Sequence, residues 1–286
     1  GLDGTDYNGT FKRLKNAGIK IVFRGEPTVE NARTIEKLGA DVFVATGFDE
    51  GGMLPGGQIG TFSIVPLIVD SVKNIPVMAA GGISDIRGVR AAFALGAEGV
   101  FLGTRFLATE EARTAQNVKE LMLKTNAEDL HIFRTLPHFY RSIPTKLSAE
   151  LVEMDKNGAT REELFLKQGG GKNMKLGMLD GDENGYISVG LGVSFIKEIK
   201  SVKEVVIALV KDRYNKHKRI IFNGNGYEQK WVDEAKKRGL PNLKDTVEGL
   251  PALIEEDIIQ LFERNSVLSR SESLSRFHVY VERYNK

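Results

Sequence analysis

The 286 residues carry 40 basic and 38 acidic side chains, a net charge of +2, 41% hydrophobic residues and no cysteine. Charge this balanced gives no electrostatic case for nucleic acid or an anionic membrane as partner. The lack of thiols excludes disulfides, thiolate catalysis and thiolate metal sites, and it fits a reducing cytoplasm.

No apolar run approaches the roughly 20 residues of a membrane span. The opening "GLDGTDYNGT" has no signal-peptide character and no initiator Met, so the chain is expected to begin inside a longer gene product. A chain of this size can bury one large core or two ordinary ones.

In chain order, "AGIKIVFRG" (17–25), "LGADVFVATG" (38–47), "IPVMAAGG" (75–82) and "LGAEGVFLGT" (95–104) read as short buried strands. Amphipathic helices run between them, clearest in "TVENARTIEKLGA" and "SDIRGVRAAFALGA", where apolar residues recur near 3.6 spacing. Thr28 and Ser84 are the expected N-caps, and Gly39 and Gly96 the expected stops. Strands that are apolar throughout and alternate with helices predict an α/β fold with a parallel sheet. The repeated "LGA" plus acid before a strand is similar to the helix-to-strand joint of a TIM-type barrel. A closed barrel needs eight such units, so the expectation is a partial barrel, its C-terminal half.

Two of these strands end in bare backbone, at Gly81-Gly82 and at Gly103-Thr104. In parallel α/β folds ligands gather at the carboxyl ends of strands, where loop N–H groups are free to donate. Glycine lets a phosphate approach those N–H groups closely. The alternative is that the glycines serve only tight turns; two on neighbouring strands, with Thr104 beside them, favour phosphate.

Past the strands, "RTLPHFYRSIP" gathers Arg134, His138, Tyr140 and Arg141 into a segment that could close over a substrate, or serve packing and surface ion pairs. No two of the four histidines stand at metal spacing. "GGGK" (169–172) lacks P-loop spacing and reads as a flexible loop. "DGDENGYIS" (180–188) imitates a calcium loop, but Leu191 stands at the twelfth position, where a glutamate belongs, which favours a polar turn. From about Val210 the texture becomes helix-rich and strongly charged, and this part holds the only tryptophan, Trp231.

Together "GFDEGGMLPGGQIGTF", "PVMAAGGISD" and "LGAEGVFLGTRF" resemble the FMN-dependent nitronate monooxygenase family, which includes the flavin-dependent enoyl-acyl carrier protein reductase II. The resemblance extends through "LHIFRTLPHFYRS" and "KLGMLDGDENGYISVGLGVSFIKEIKSVKEVV", covering about residues 1–209. It implies an oxidoreductase with FMN, its phosphate on Gly81, Gly82, Gly103 and Thr104, lined by Phe101 and Leu102. Gly51 would approach the flavin, and Thr46 stands where the family often has glutamine. Electrons would come from a nitronate, or hydride from NAD(P)H.

Two departures from the family pattern bear on activity. Where the family reads Glu-Ala-Gly-Gly-His, this chain reads Asp49-Glu50-Gly51-Gly52-Met53, and a thioether cannot take a proton. Asp49 or Glu50 could replace that histidine; equally, both could be solvated loop carboxylates. The family's Gly-Gly-Met flavin motif does not precede Gly1, so weak or absent nitronate oxidation is expected, together with self-association through unpaired strand edges.

The stretch "HKRIIFNGNGY…W…EAKKRGLPNLKDTVEGLPAL" resembles the C-terminal region of type III glutamine synthetase, outside that family's ATP and glutamate sites. Two units with separate cores are therefore expected, 1–209 and 210–286. The alternative to a flavoenzyme acting on a small molecule is a non-catalytic remnant whose helical tail mediates association.

Overall fold

A computed structural model describes residues 6–210, and expectations for 210–286 otherwise lie outside the described residues. The first elements are α1 (Tyr7–Asn16), β1 (Val22–Phe23), α2 (Val29–Leu38), β2 (Val42–Thr46), β3 (Gly52–Leu54), α3 (Thr61–Val69), β4 (Val77–Ala80), α4 (Ile86–Ala94), β5 (Gly99–Phe101) and the short α5 (Thr104–Leu107). All four expected strand segments form one parallel sheet, in the order β1-β2-β4-β5. Val22 pairs with Val42, Phe43 with Val77, and Ala79 with Val100.

The apolar runs form strands because the sheet is buried: Phe43, Val44, Ala45 and Ala79 are fully enclosed. Against them pack Ile35 of α2 and Ile64 and Ile68 of α3, building the largest core cluster. Residues 202–210 are helical, and Val205 and Leu209 from that stretch join the same cluster.

Local chemistry sets the helix ends. Thr28 caps α2 by accepting from the N–H of Asn31 at 3.1 Å, and Gly39 ends it in the left-handed conformation at φ 94°. At α4 the cap is Asp85, one residue beyond the expected Ser84. Its Oδ1 accepts from the N–H groups of Arg87 and Gly88, and its Oδ2 is bonded by the Arg87 guanidinium. A carboxylate satisfies two orphan donors and complements the helix dipole, so it outcompetes the neighbouring hydroxyl.

A second sheet, absent from the sequence reading, is antiparallel in the order β3-β7-β6, with β6 (His131–Arg134) and β7 (Phe139–Ser142) joined through a cis Leu136–Pro137 bond. In chain order α6 (Gln116–Lys124) precedes β6, α7 (Lys146–Lys156) packs against β6, and α8 (Arg161–Gln168) and α9 (Gly170–Met178) follow. The "GGGK" stretch is not a loop: Gly169, at φ 71°, is the left-handed joint between α8 and α9, and Gly170 starts the next helix. In "DGDENGYIS" the backbone turns on Asp182, whose Oδ1 accepts from the N–H and Nδ2 of Asn184. Among the described residues no helix is long and apolar enough to cross a membrane.

Candidate active site

The carboxyl ends of the parallel strands converge on a cavity of about 240 Å³. Arg24 follows β1, residues 50–51 follow β2, residues 81–84 follow β4, and residues 102–104 follow β5; Ser188 and Gly192 close the far side. A wider depression of about 840 Å³ lies over α7 and α8, between Glu150, Glu153, Glu163 and Lys167. It has no convergent backbone donors, so the smaller cavity is where chemistry can be organised.

Its glycines differ in what the fold demands of them. Gly81 has φ 100°, and a Cβ there would sit 2.8 Å from the Gly47 carbonyl oxygen and the Thr61 hydroxyl, so the backbone itself requires glycine. Gly51 would place a Cβ 2.1 Å from the Val189 carbonyl carbon, where two backbone segments pass. Gly103 is different. Its φ of −104° suits any residue, and a Cβ on it would meet nothing within 4 Å. Gly103 is itself exposed and lines the cavity.

Among the described residues the N–H groups of Gly82, Gly103 and Thr104 have no acceptor. Gly82 and Thr104 are half-buried and Gly103 is exposed, so their N–H groups can face a ligand, and three donors together at one cavity suit an anion. The N-terminus of α4 is already occupied by the Asp85 carboxylate and adds no free dipole end. Thr104 accepts from the N–H of Gly190 at 2.9 Å through Oγ1, tying the 188–192 loop to the wall while its own proton stays available. Phe101 and Leu102 both line the cavity. Thr46 does not: it is 2% exposed at the end of β2, and its Oγ1 has no partner among the described residues.

The two neighbouring carboxylates have opposite fates. Asp49 accepts the Thr61 N–H at 2.5 Å, supplying the α3 N-terminus with the acceptor that its N-cap, Gly60, lacks. Glu50 lines the cavity, paired with Arg24, its side chain 13% exposed. Burial raises its carboxyl to about 7, against the opposing pull of the Arg24 and Arg141 charges. Arg141, itself buried, donates through Nη1 to the carbonyls of Phe48 and Glu50 and so fixes this loop.

Met53 pairs with Tyr140 across β3 and β7, and its side chain packs into the cluster of Phe133, Tyr140 and Leu151, off the cavity wall. The Tyr140 hydroxyl lies 2.6 Å from the Ser188 hydroxyl, and burial raises its ionisation above the ordinary range.

The remaining residues of "RTLPHFYRSIP" serve the hairpin. Arg134 pairs with Asp155, and the His138 carbonyl accepts from Arg161, while the His138 ring leaves the hairpin to lie 3.8 Å from the Glu26 carboxylate. Ser188 and Gly192 fall within "SVGLGVSF" (188–195), the stretch that the family resemblance puts near the flavin, whereas the sequence reading gave no site role to Arg24. Arg24 directly follows a strand, so the rule that ligands gather at strand carboxyl ends could have found it.

Replacing Asp49 with Ala is expected to lower stability by about 1 kcal/mol, the usual cost of a lost cap. Proton transfer at the cavity should stay within a few-fold. Thermal melts alongside the rate measure both.

A family profile for nitronate monooxygenase matches residues 4–212, and one for the glutamine synthetase C-terminal domain matches residues 205–286. The overlap contains Val205 and Leu209, which pack into the core of the parallel sheet. The "Probable nitronate monooxygenase" of Staphylococcus aureus strain MSSA476 is 42% identical over 135 residues, 44% of this chain and 37% of that protein. This chain thus spans little more than a third of that relative's length.

A glutamine synthetase of Butyrivibrio fibrisolvens is 44% identical over 85 residues, 30% of this chain and 12% of that one. Among solved structures, FabK from Thermotoga maritima superposes with a TM-score of 0.68 at 32% identity, covering 76% of this chain and 68% of its own. That likeness shows the α/β, TIM-type fold. With nearly three quarters of its length matched by the profile, the chain belongs to the nitronate monooxygenase family.

Proposed function

We propose that the chain binds FMN through its phosphate and acts as an FMN-dependent oxidoreductase on a small molecule, with alkyl nitronates as the first substrate class. The observation that carries the reading is the cavity face where three unpaired backbone N–H groups, from Gly82, Gly103 and Thr104, meet the open space in front of Gly103. These groups fit a phosphate: the donors are neutral and fixed, and among the described residues no carboxylate other than Glu50 lines the cavity. The volume, about 240 Å³, falls below the roughly 300–1,000 Å³ of complete small-molecule sites. The described residues therefore build the phosphate end and one wall.

When bound, FMN supplies the electron-pair chemistry. The chain anchors the phosphate on backbone, lines it with Phe101 and Leu102, and holds a proton at the Glu50 carboxyl, which titrates near neutrality. Arg24 opposite Glu50 keeps both protonation states accessible. A second reading, reduction of an enoyl thioester with NAD(P)H, is favoured by the likeness to FabK. A cysteine-free chain supports a cytoplasmic location.

Titration of the purified chain with FMN and with riboflavin tests the proposal. FMN is expected to bind at least tenfold more tightly, because riboflavin lacks the phosphate. Aerobic turnover of an alkyl nitronate, against NAD(P)H oxidation with an enoyl thioester, then separates the two readings. Failure to bind either flavin would leave a non-catalytic association module.

A further inference from the structure

We infer that Ser84 is a side-chain ligand of the anionic group held in this cavity, completing with its hydroxyl the ring of backbone donors at Gly82, Gly103 and Thr104. The inference rests on the proposed phosphate site and adds a residue to it. Ser84 is 4% exposed and lines the cavity, yet among the described residues its Oγ has no hydrogen-bond partner.

The sequence offers Ser84 an obvious employment, capping α4, but Asp85 already accepts from the N–H groups of Arg87 and Gly88. The hydroxyl is thereby released from the helix. Gly192 faces it from the opposite loop, where a Cβ would come within 2.4 Å of the Ser84 Oγ, so the glycine leaves the hydroxyl its room. Leaving a buried hydroxyl unpaired is unfavourable unless something else completes its bonding. Here the available acceptor is whatever occupies the cavity, and the adjacent unpaired N–H groups are all donors, which selects an anion. A hydroxyl can also follow a phosphate oxygen by rotating, which fixed backbone N–H groups cannot do.

The test compares Ser84→Ala with the parent protein in FMN titrations, riboflavin titrations and thermal melts of the ligand-free protein. A lost hydrogen bond to a charged oxygen should weaken FMN binding on the order of tenfold to a hundredfold. Riboflavin affinity should be unchanged. In the ligand-free protein the variant should melt at the same temperature or higher, because it no longer buries an unpaired hydroxyl.

Equal FMN affinity in variant and parent would overturn the role of Ser84 while leaving the flavin site intact. An equal loss for riboflavin would overturn placement at the phosphate. A lower ligand-free melting temperature would also overturn it, by showing the hydroxyl already bonded within the fold. If the parent fails to bind FMN, the proposed site falls, and this inference with it.

Discussion

Glu50→Gln is expected to remove a titration near pH 7 from both the rate and the stability of this protein. In the parent the carboxyl is raised from 4.5 to about 7, burial outweighing the opposing charges of Arg24 and Arg141. Between those two values the native state holds a proton that the unfolded chain has released, so stability falls as pH rises through that window. A shift of that size corresponds to at most roughly 3–4 kcal/mol, on a side chain only 13% exposed. The glutamine variant should show no such slope between pH 5 and 8. Loss of a positioned base commonly costs about 10²–10⁴-fold in rate, so kcat/KM should fall by that factor and lose its limb near pH 7. Melts at pH 5 and pH 8, with a pH–rate profile, measure both. An unchanged limb in the variant would assign the proton to another group.

That prediction turns on a distinction invisible in the sequence. Asp49 and Glu50 are adjacent loop carboxylates, and nothing local separates them. Tertiary contacts do: the bare N-cap at Gly60 draws Asp49 onto the Thr61 N–H, while Arg24 and the Arg141-held backbone keep Glu50 at the cavity.

What was legible followed period and punctuation. The apolar runs of β2 and β4 gave the parallel sheet, and the glycines after β4 and β5 marked the edge where the cavity opens. The antiparallel sheet stayed hidden because β3 is three residues long and finds its partner only across a long sequence separation, Met53 against Tyr140. Capping of α4 was misplaced by one residue, because Ser and Asp are near-equal caps in sequence and only geometry shows which one engages the N–H groups. That single-residue difference also separates a helix cap from a cavity ligand.

Gly103→Val is expected to abolish FMN binding and leave the fold standing, whereas Gly81→Val should lose both. The two positions look alike in sequence, each a glycine closing a strand. At Gly81 the backbone sits at φ 100°, a conformation L side chains rarely adopt, and a Cβ would press on the Gly47 carbonyl and the Thr61 hydroxyl at 2.8 Å. Strain of this kind costs about 1–3 kcal/mol before any clash is counted, so lost binding there would report on folding. Gly103 has an ordinary φ of −104° and nothing within 4 Å of a Cβ, so valine fits the protein. Its methyl groups would instead enter the space beside the Gly103 and Thr104 N–H groups, the space a phosphate needs. A melting temperature within a few degrees of the parent, with FMN affinity reduced at least a hundredfold, is the expected outcome for Gly103→Val. Melts and a flavin fluorescence titration on the same preparation measure the pair. If Gly103→Val bound FMN as the parent does, the phosphate would have to lie elsewhere, and the unpaired donors at this cavity would need another occupant.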